Sequence, residues 1–159
     1  MEIRRFQPGD ENEAAAIIQR CLKEVNTEDP QWENDWLSER YTPDFIREMA
    51  KTCHTYVICD RDQVVATGTI KIDENAPGIK QSEIVSCFIR PEYIGKGLGR
   101  MLFETLESDE YFRSAQRVYL TSSVMAQDFY EHMGYKNPNG HGVRNAETLL
   151  EYEKIPFSS

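Results

Sequence analysis

Three glycines at alternate positions, Gly95, Gly97 and Gly99, stand between a β-type run and an amphipathic helical run. Glycine accepts positive φ and lets a ligand approach the backbone closely. Successive amide N–H groups at a helix start form a concave anion site. Lys96 and Arg100 add positive charge to this stretch, in a chain whose net charge is −9. Cations in a first helical turn oppose the helix dipole, and a bound phosphate removes that penalty. The loop Gly95-Lys96-Gly97-Leu98-Gly99-Arg100 therefore reads either as a phosphate cradle or as a tight strand-to-helix turn without a ligand. Two common phosphate patterns do not fit it. G-x-x-x-x-G-K-[ST] fails because Arg90 stands at its first glycine and Gly97 follows Lys96. G-x-G-x-x-G fails because Arg100 or Leu102 stands where its last glycine belongs.

The surrounding pattern predicts a mixed sheet with helices on it. Met1 to Phe6 alternates like a strand. Asp10 and Glu13 resemble a capping box, opening a helix with Ala15, Ile18, Cys21, Leu22 and Val25 on one face. Asn26 to Pro30 breaks that helix, and Thr42-Pro43 opens a second. Strands are expected at Thr55 to Cys59, Val64 to Ile72 and Glu83 to Ile89, with turns at Asp60–Gln63 and Asn75–Gly78. Leu98, Met101, Leu102 and Leu106 form a helical stripe after the glycines. A strand at Val118 to Thr121, a short helix at Ala126 to Met133 and a strand at Glu147 to Ile155 complete the order. The 159 residues form one expected domain, 1–159, of mixed α/β (α+β) class.

Composition excludes several functions. With 18 Lys plus Arg against 27 Asp plus Glu, the chain lacks the basic excess a nucleic-acid binder needs. The acidity instead favours cationic partners. No stretch approaches the ~18 apolar residues of a membrane span, and Met1-Glu2-Ile3-Arg4-Arg5 lacks the apolar run of a signal peptide. Cys21, Cys53, Cys59 and Cys87 form no C-x-x-C pair, and no two histidines have metal-ligand spacing. The expectation is a soluble cytoplasmic protein with free thiols and no metal.

Two segments together resemble a known family. Glu83-Ile84-Val85-Ser86-Cys87-Phe88-Ile89-Arg90-Pro91-Glu92-Tyr93-Ile94-Gly95-Lys96-Gly97-Leu98-Gly99 is similar to motif A of the GNAT N-acetyltransferase superfamily. Ser123-Val124-Met125-Ala126-Gln127-Asp128-Phe129-Tyr130-Glu131-His132-Met133-Gly134-Tyr135 looks like its second motif, N-x-x-A-x-x-[FL]-Y-x-x-x-G-[FY]. The N-terminal strand and Ala-rich helix are similar to the family's opening, so the resemblance covers nearly the whole chain. There are two departures: Ile94 replaces an Arg or Gln, and Ser123 replaces an Asn. The resemblance implies a twisted, mostly antiparallel sheet of six to seven strands, flanked by about four helices and split between strands 4 and 5.

It also implies acetyl-CoA as co-substrate and direct transfer of acetyl from the thioester to a primary amine. The donor site would be the backbone of Cys87, Phe88 and Ile89, the loop Gly95, Lys96, Gly97, Leu98, Gly99 and Arg100, and the Ser123 hydroxyl. With Ile94 in place of Arg or Gln, backbone amides and Arg100 would carry the pyrophosphate. Tyr130, at the family's tyrosine position, is the expected acid for the departing thiolate. Glu83 is the expected base. It lies about 13 Å from Cys87 along a regular strand, so it would act through water. A small-molecule acceptor is the leading expectation. A protein or peptide acceptor and a non-catalytic acyl-CoA-binding module are the alternatives, and the chain would be a monomer or homodimer. The segment 24–39 holds six carboxylates, no Lys or Arg, and Trp32 and Trp36 four apart. It either lines an ammonium site or is a solvated acidic face with the tryptophans packed inward.

Overall fold

The computed structural model describes residues 1–156. Six strands run in sheet order β1 (Glu2–Arg5), β2 (His54–Asp60), β3 (Gln63–Ile72), β4 (Gln81–Ile89), β5 (Arg117–Thr121) and β6 (Glu151–Lys154). Every neighbouring pair is antiparallel except β4–β5, which is parallel. The helices are α1 (Glu11–Glu24), α2 (Gln31–Arg40), α3 (Pro43–Thr52), α4 (Leu98–Ser108), α5 (Glu110–Arg113) and α6 (Gln127–His132). Short 3₁₀ turns at Pro91–Tyr93 and Val124–Ala126 precede α4 and α6. The expected split sheet is present, with the last strand confined to Glu151–Lys154 where Glu147 to Ile155 was expected, and with four helices of ten or more residues and two shorter ones.

The sheet is covered on both faces. Leu98, Leu102, Phe103 and Leu106 of α4 pack on Ile70, Ile84 and Val118 beneath one face. Ile17 and Cys21 of α1 pack on Val57, Cys59 and Val64 on the other, while Ala14, Ile18 and Leu22 meet Tyr41 and Ile46. Such a two-layer burial requires alternating parity along each strand.

β4 breaks that parity once. Thr67 pairs with Phe88 and Thr69 with Val85, so Ser86 and Cys87 together face Gly68. This is a β-bulge, and Ser86 sits at φ +59°. A left-handed seryl backbone costs about 1–2 kcal/mol. Beyond the bulge the faces exchange, as a one-residue slip demands. Ile84, Cys87 and Ile89 pack on the α4 side, whereas Phe88 packs against the α1 and α3 side. Gly68 relieves crowding opposite the bulge: a Cβ there would lie 3.0 Å from Cys87 Sγ and from Leu102 Cδ2, and one of those side chains would have to shift. The regular strand expected from Glu83 to Ile89 is thereby corrected.

Two other readings of the sequence are corrected. Asp10 does not cap α1 with its side chain. Its carboxylate is taken by Arg4 at 2.8 Å and by the Gln7 N–H, while Glu13 accepts from Val64 N–H. The tertiary ion pair outcompetes the local cap. The acidic segment after α1 is itself a helix, α2, which has no apolar stripe for a sequence pattern to detect. Thr42 caps α3 as expected, its hydroxyl accepting from Phe45 N–H at 3.1 Å.

Away from the split, Asp109 ties α5 to the sheet. Only 6% of it is exposed. Its carboxylate lies 2.9 Å from His54 Nδ1, accepts from the Tyr56 hydroxyl at 2.7 Å, and caps α5 at Tyr111 N–H. Burial pushes this carboxyl up, but the bonds from Tyr56, His54 and Tyr111 outweigh it and hold it below its ordinary range. A carboxylate with a depressed folded-state pKa contributes stability above its unfolded value of about 3.9 and loses it as pH falls through the folded value. Urea unfolding across this acidic range should show stability falling, and Asp109→Asn should flatten that fall. An unchanged acid limb in the variant would remove Asp109 from this role.

Candidate active site

β4 and β5 pair only from Gln81–Arg117 to Ile84–Leu120. Past Ile84 the strands part, and β4 from Val85 onward has no partner on that side. A cleft of about 1160 Å³ opens there. It exceeds the ~300–1,000 Å³ of ordinary small-ligand pockets, so it has room for a large ligand and a second, smaller one.

The glycine loop forms one mouth of the cleft. Gly95 and Gly97 take φ +83° and +85°, and Gly97 is the N-cap of α4. Gly99 follows, where a Cβ would lie 3.1 Å from the Phe129 ring. Its lack of a side chain lets α4 approach α6. The loop is braced from behind. Glu92 pairs with Arg20 of α1 at 2.8 Å, and the Tyr93 hydroxyl donates to Asp60 at 2.6 Å. Arg100 lines the cleft and has no ion pair among the described residues. Lys96 does not line it: its Nζ lies over the Tyr93 ring at 5.4 Å.

The other sequence-singled residues come together on the cleft wall. Cys87, Phe88, Ile89, Gly95, Gly97, Leu98, Gly99, Ser123, Tyr130 and Glu83 all line it. Tyr130 is 9% exposed and stands in an aromatic cluster with Phe103, Phe129 and Tyr135. Its hydroxyl has no hydrogen-bond partner among the described residues. Burial, then the nearby Cys87, pushes its pKa far up, so the phenol keeps its proton at neutral pH. Glu83 lies 3.6 Å from Lys71 Nζ and accepts a long bond from the Tyr119 hydroxyl at 3.4 Å. Burial raises its carboxyl above the ordinary value against the opposing pull of Lys71 and Tyr119. The Cys87 thiol is pushed up to about 12 by burial, so it is no nucleophile at neutral pH.

The acidic segment supplies the wall opposite β4. Trp32 and Trp36 are 61% and 54% exposed and both line the cleft, so they are not packed inward. Asp29 and Glu33 line it as well. Asp29 accepts from Val124 N–H at 2.8 Å, and the Glu33 carboxylate accepts no hydrogen bond among the described residues. Burial raises both carboxyls, and Asp29 raises Glu33 further. The cation acting on both is Arg144, which forms no ion pair with either. Asp128, Glu131 and His141 bring ligating atoms within 4.8 Å of one another. They are exposed and outside the cleft, and His141 is satisfied by Glu131 at 2.7 Å.

Sequence reasoning missed Tyr41 and Ser86. Their side chains meet at 2.6 Å across 45 positions of chain, and no local pattern signals that contact.

A sheet parted between two parallel strands, with a glycine-rich helix start at its mouth, is the layout of a coenzyme A-dependent acyltransferase fold. The chain belongs to the acetyltransferase (GNAT) family, whose model matches residues 19–135. No curated protein matches the sequence. Among solved structures, it is similar to PaiA N-acetyltransferase from Thermoplasma acidophilum in complex with coenzyme A, with TM-score 0.78, 16% identity, and 97% of this chain and 98% of that one covered. It is also similar to a GCN5-related N-acetyltransferase from Rhodopseudomonas palustris, with TM-score 0.73, 19% identity, and 97% and 94% covered. A third is glucosamine-6-phosphate N-acetyltransferase from Arabidopsis thaliana, with TM-score 0.62, 21% identity, and 91% and 97% covered. No helix among the described residues is long and apolar enough to cross a membrane.

The loop geometry gives a direct test. Valine is an outlier at the φ of Gly97, so Gly97→Val should weaken coenzyme A binding more than tenfold by calorimetry while leaving far-UV circular dichroism unchanged. Unaltered affinity would refute the loop as the phosphate site.

Proposed function

We propose that this chain is an acetyl-CoA-dependent N-acetyltransferase that acetylates a primary amine of a small, cationic molecule. The observation that carries the reading is the unpartnered hydroxyl of Tyr130, a buried side chain that lines the cleft near Cys87 where β4 leaves its neighbour. The residues fit the donor. Gly95 and Gly97 free backbone amides for the pyrophosphate, with Arg100 beside them. The open edge of β4 at Cys87, Phe88 and Ile89 suits an extended pantetheine arm laid down like an added strand. Ser123 offers a hydroxyl at the facing edge.

Bound acetyl-CoA supplies an acetyl group activated as a thioester. The chain's own residues handle two protons. Glu83 accepts the proton that the amine must lose, directly or through water, and its raised pKa brings it nearer neutrality, where a base works best. Tyr130 faces the sulfur that leaves. Its pKa is raised, so its main contribution is a hydrogen bond to the developing thiolate from a donor already held in place.

The acceptor end supports a cationic substrate. Asp29 and Glu33 are half-buried without an ion pair, and burying unpaired carboxylates is costly unless a cation joins them. Trp32 offers an aromatic face to an ammonium or its alkyl chain, while the Trp36 ring already carries the Arg40 guanidinium 5.0 Å from its centre. These side chains wall the same cleft as Glu83, which favours a small acceptor over a polypeptide. Thiol release from acetyl-CoA across a panel of neutral, mono-cationic and poly-cationic amines tests the reading. Turnover confined to peptides would favour the protein-acetylating alternative. Coenzyme A binding without turnover on any amine would favour a non-catalytic module.

Two variants test the roles. Tyr130→Phe should lower kcat about tenfold, ~1.4 kcal/mol of barrier, with little change in coenzyme A affinity; an unchanged kcat removes Tyr130 from the mechanism. A base works deprotonated, so kcat/KM should fall as pH drops through the raised Glu83 pKa. Glu83→Gln should lower the rate and abolish that acidic limb. A limb that persists in the variant belongs to another group.

A further inference from the structure

Ser86 is the one residue of β4 with positive φ, and it is not glycine. Something must hold it there. Its hydroxyl donates to the Tyr41 hydroxyl at 2.6 Å. Tyr41 is itself fixed: it is 8% exposed and packs edge-on against Phe45 and Phe88 at 5.4 and 6.4 Å. Its backbone ends α2, through Tyr41 N–H to Leu37 O. Gln19 of α1 donates to Tyr41 O at 3.2 Å and to Ser38 O at 2.9 Å. Tyr41 therefore joins a rigid corner of α1, α2 and α3 to the distorted point of β4.

We propose that Tyr41 is a positioning residue for the donor strand: through the Ser86 hydroxyl it holds the left-handed bulge that exchanges the faces of β4 just before Cys87, Phe88 and Ile89. The inference rests on the donor-site reading above and adds the group that sets its geometry. Without the bulge, strict alternation from Ile84 would place Ser86 and Phe88 on the α4 side and Cys87 on the other. The backbone at Cys87 would then turn with them. The same bond couples the two halves of the cleft, because the helix that carries Trp32, Glu33 and Trp36 ends at the residue that grips β4.

Glycine takes positive φ without being held, which supplies a rescue experiment. Tyr41→Phe keeps the ring packing and removes the bond. In the full chain it should weaken coenzyme A binding roughly tenfold by calorimetry and shift the Ser86 and Cys87 amide signals in NMR spectra of the free protein. Ser86→Ala should behave alike. Adding Ser86→Gly to Tyr41→Phe should bring affinity back to within about threefold of wild type, which a purely structural loss of the tyrosine bond would not do. Loss of affinity in Tyr41→Phe but not in Ser86→Ala would overturn the proposal in favour of a direct contact from Tyr41 to the ligand. Failure of glycine to rescue would also overturn it. A wild-type chain that does not bind coenzyme A sinks the donor-site reading. Unmoved Ser86 and Cys87 amide signals in Tyr41→Phe sink the clamp, whichever way binding goes.

Discussion

Between β4 and β5 the backbone pairs for only four residues on each strand, and then the two strands separate. Everything distinctive about the molecule is arranged around that parting. An inner strand that loses its neighbour leaves backbone donors and acceptors without partners, and such groups are costly away from water. The parting is held open on both sides. Beneath it, Phe103 of α4 meets Phe129, Tyr130 and Tyr135 edge-on, at 5.4 to 5.8 Å between ring centres. Edge-to-face aromatic contacts of this kind add about 0.5–1.5 kcal/mol each beyond burial. Above it, the Asp29 carboxylate caps the Val124 N–H where the chain leaves β5. The bulge at Ser86 exchanges the faces of β4 at that same point, and the ladder to β3 resumes at Phe88 and Ile89.

The cleft lining carries both signs of charge: Arg100 follows the glycine loop, Asp29, Glu33 and Glu83 are acidic, and Arg40 and Lys71 are basic. In a chain of net charge −9, Lys96 and Arg100 make the loop a local exception to the acidic surroundings. Glu83, whose carboxyl burial raises, and Tyr130, a phenol that keeps its proton, line this same cleft.

The sequence by itself determined the strands, four of the helices and their order. Alternation and β-branched content mark β2, β3 and β4, helical periodicity marks α1, α3 and α4, and the Thr42-Pro43 cap is chemically local. The glycine loop was equally legible, because a need for positive φ is written into a single residue type. The motif around Tyr130 carried its position on α6. What only the tertiary structure decided involves contacts distant in sequence. Asp10 abandoned its cap for Arg4, α2 formed without an apolar stripe, Lys96 turned onto Tyr93, and Tyr41 reached Ser86. A bulge is invisible to a period-two pattern, because one inserted residue changes the face of every residue after it while leaving the composition untouched. The physical reason for the division is range. Backbone propensity and local capping act within a few residues, whereas a cleft is made by side chains that only the completed sheet brings together.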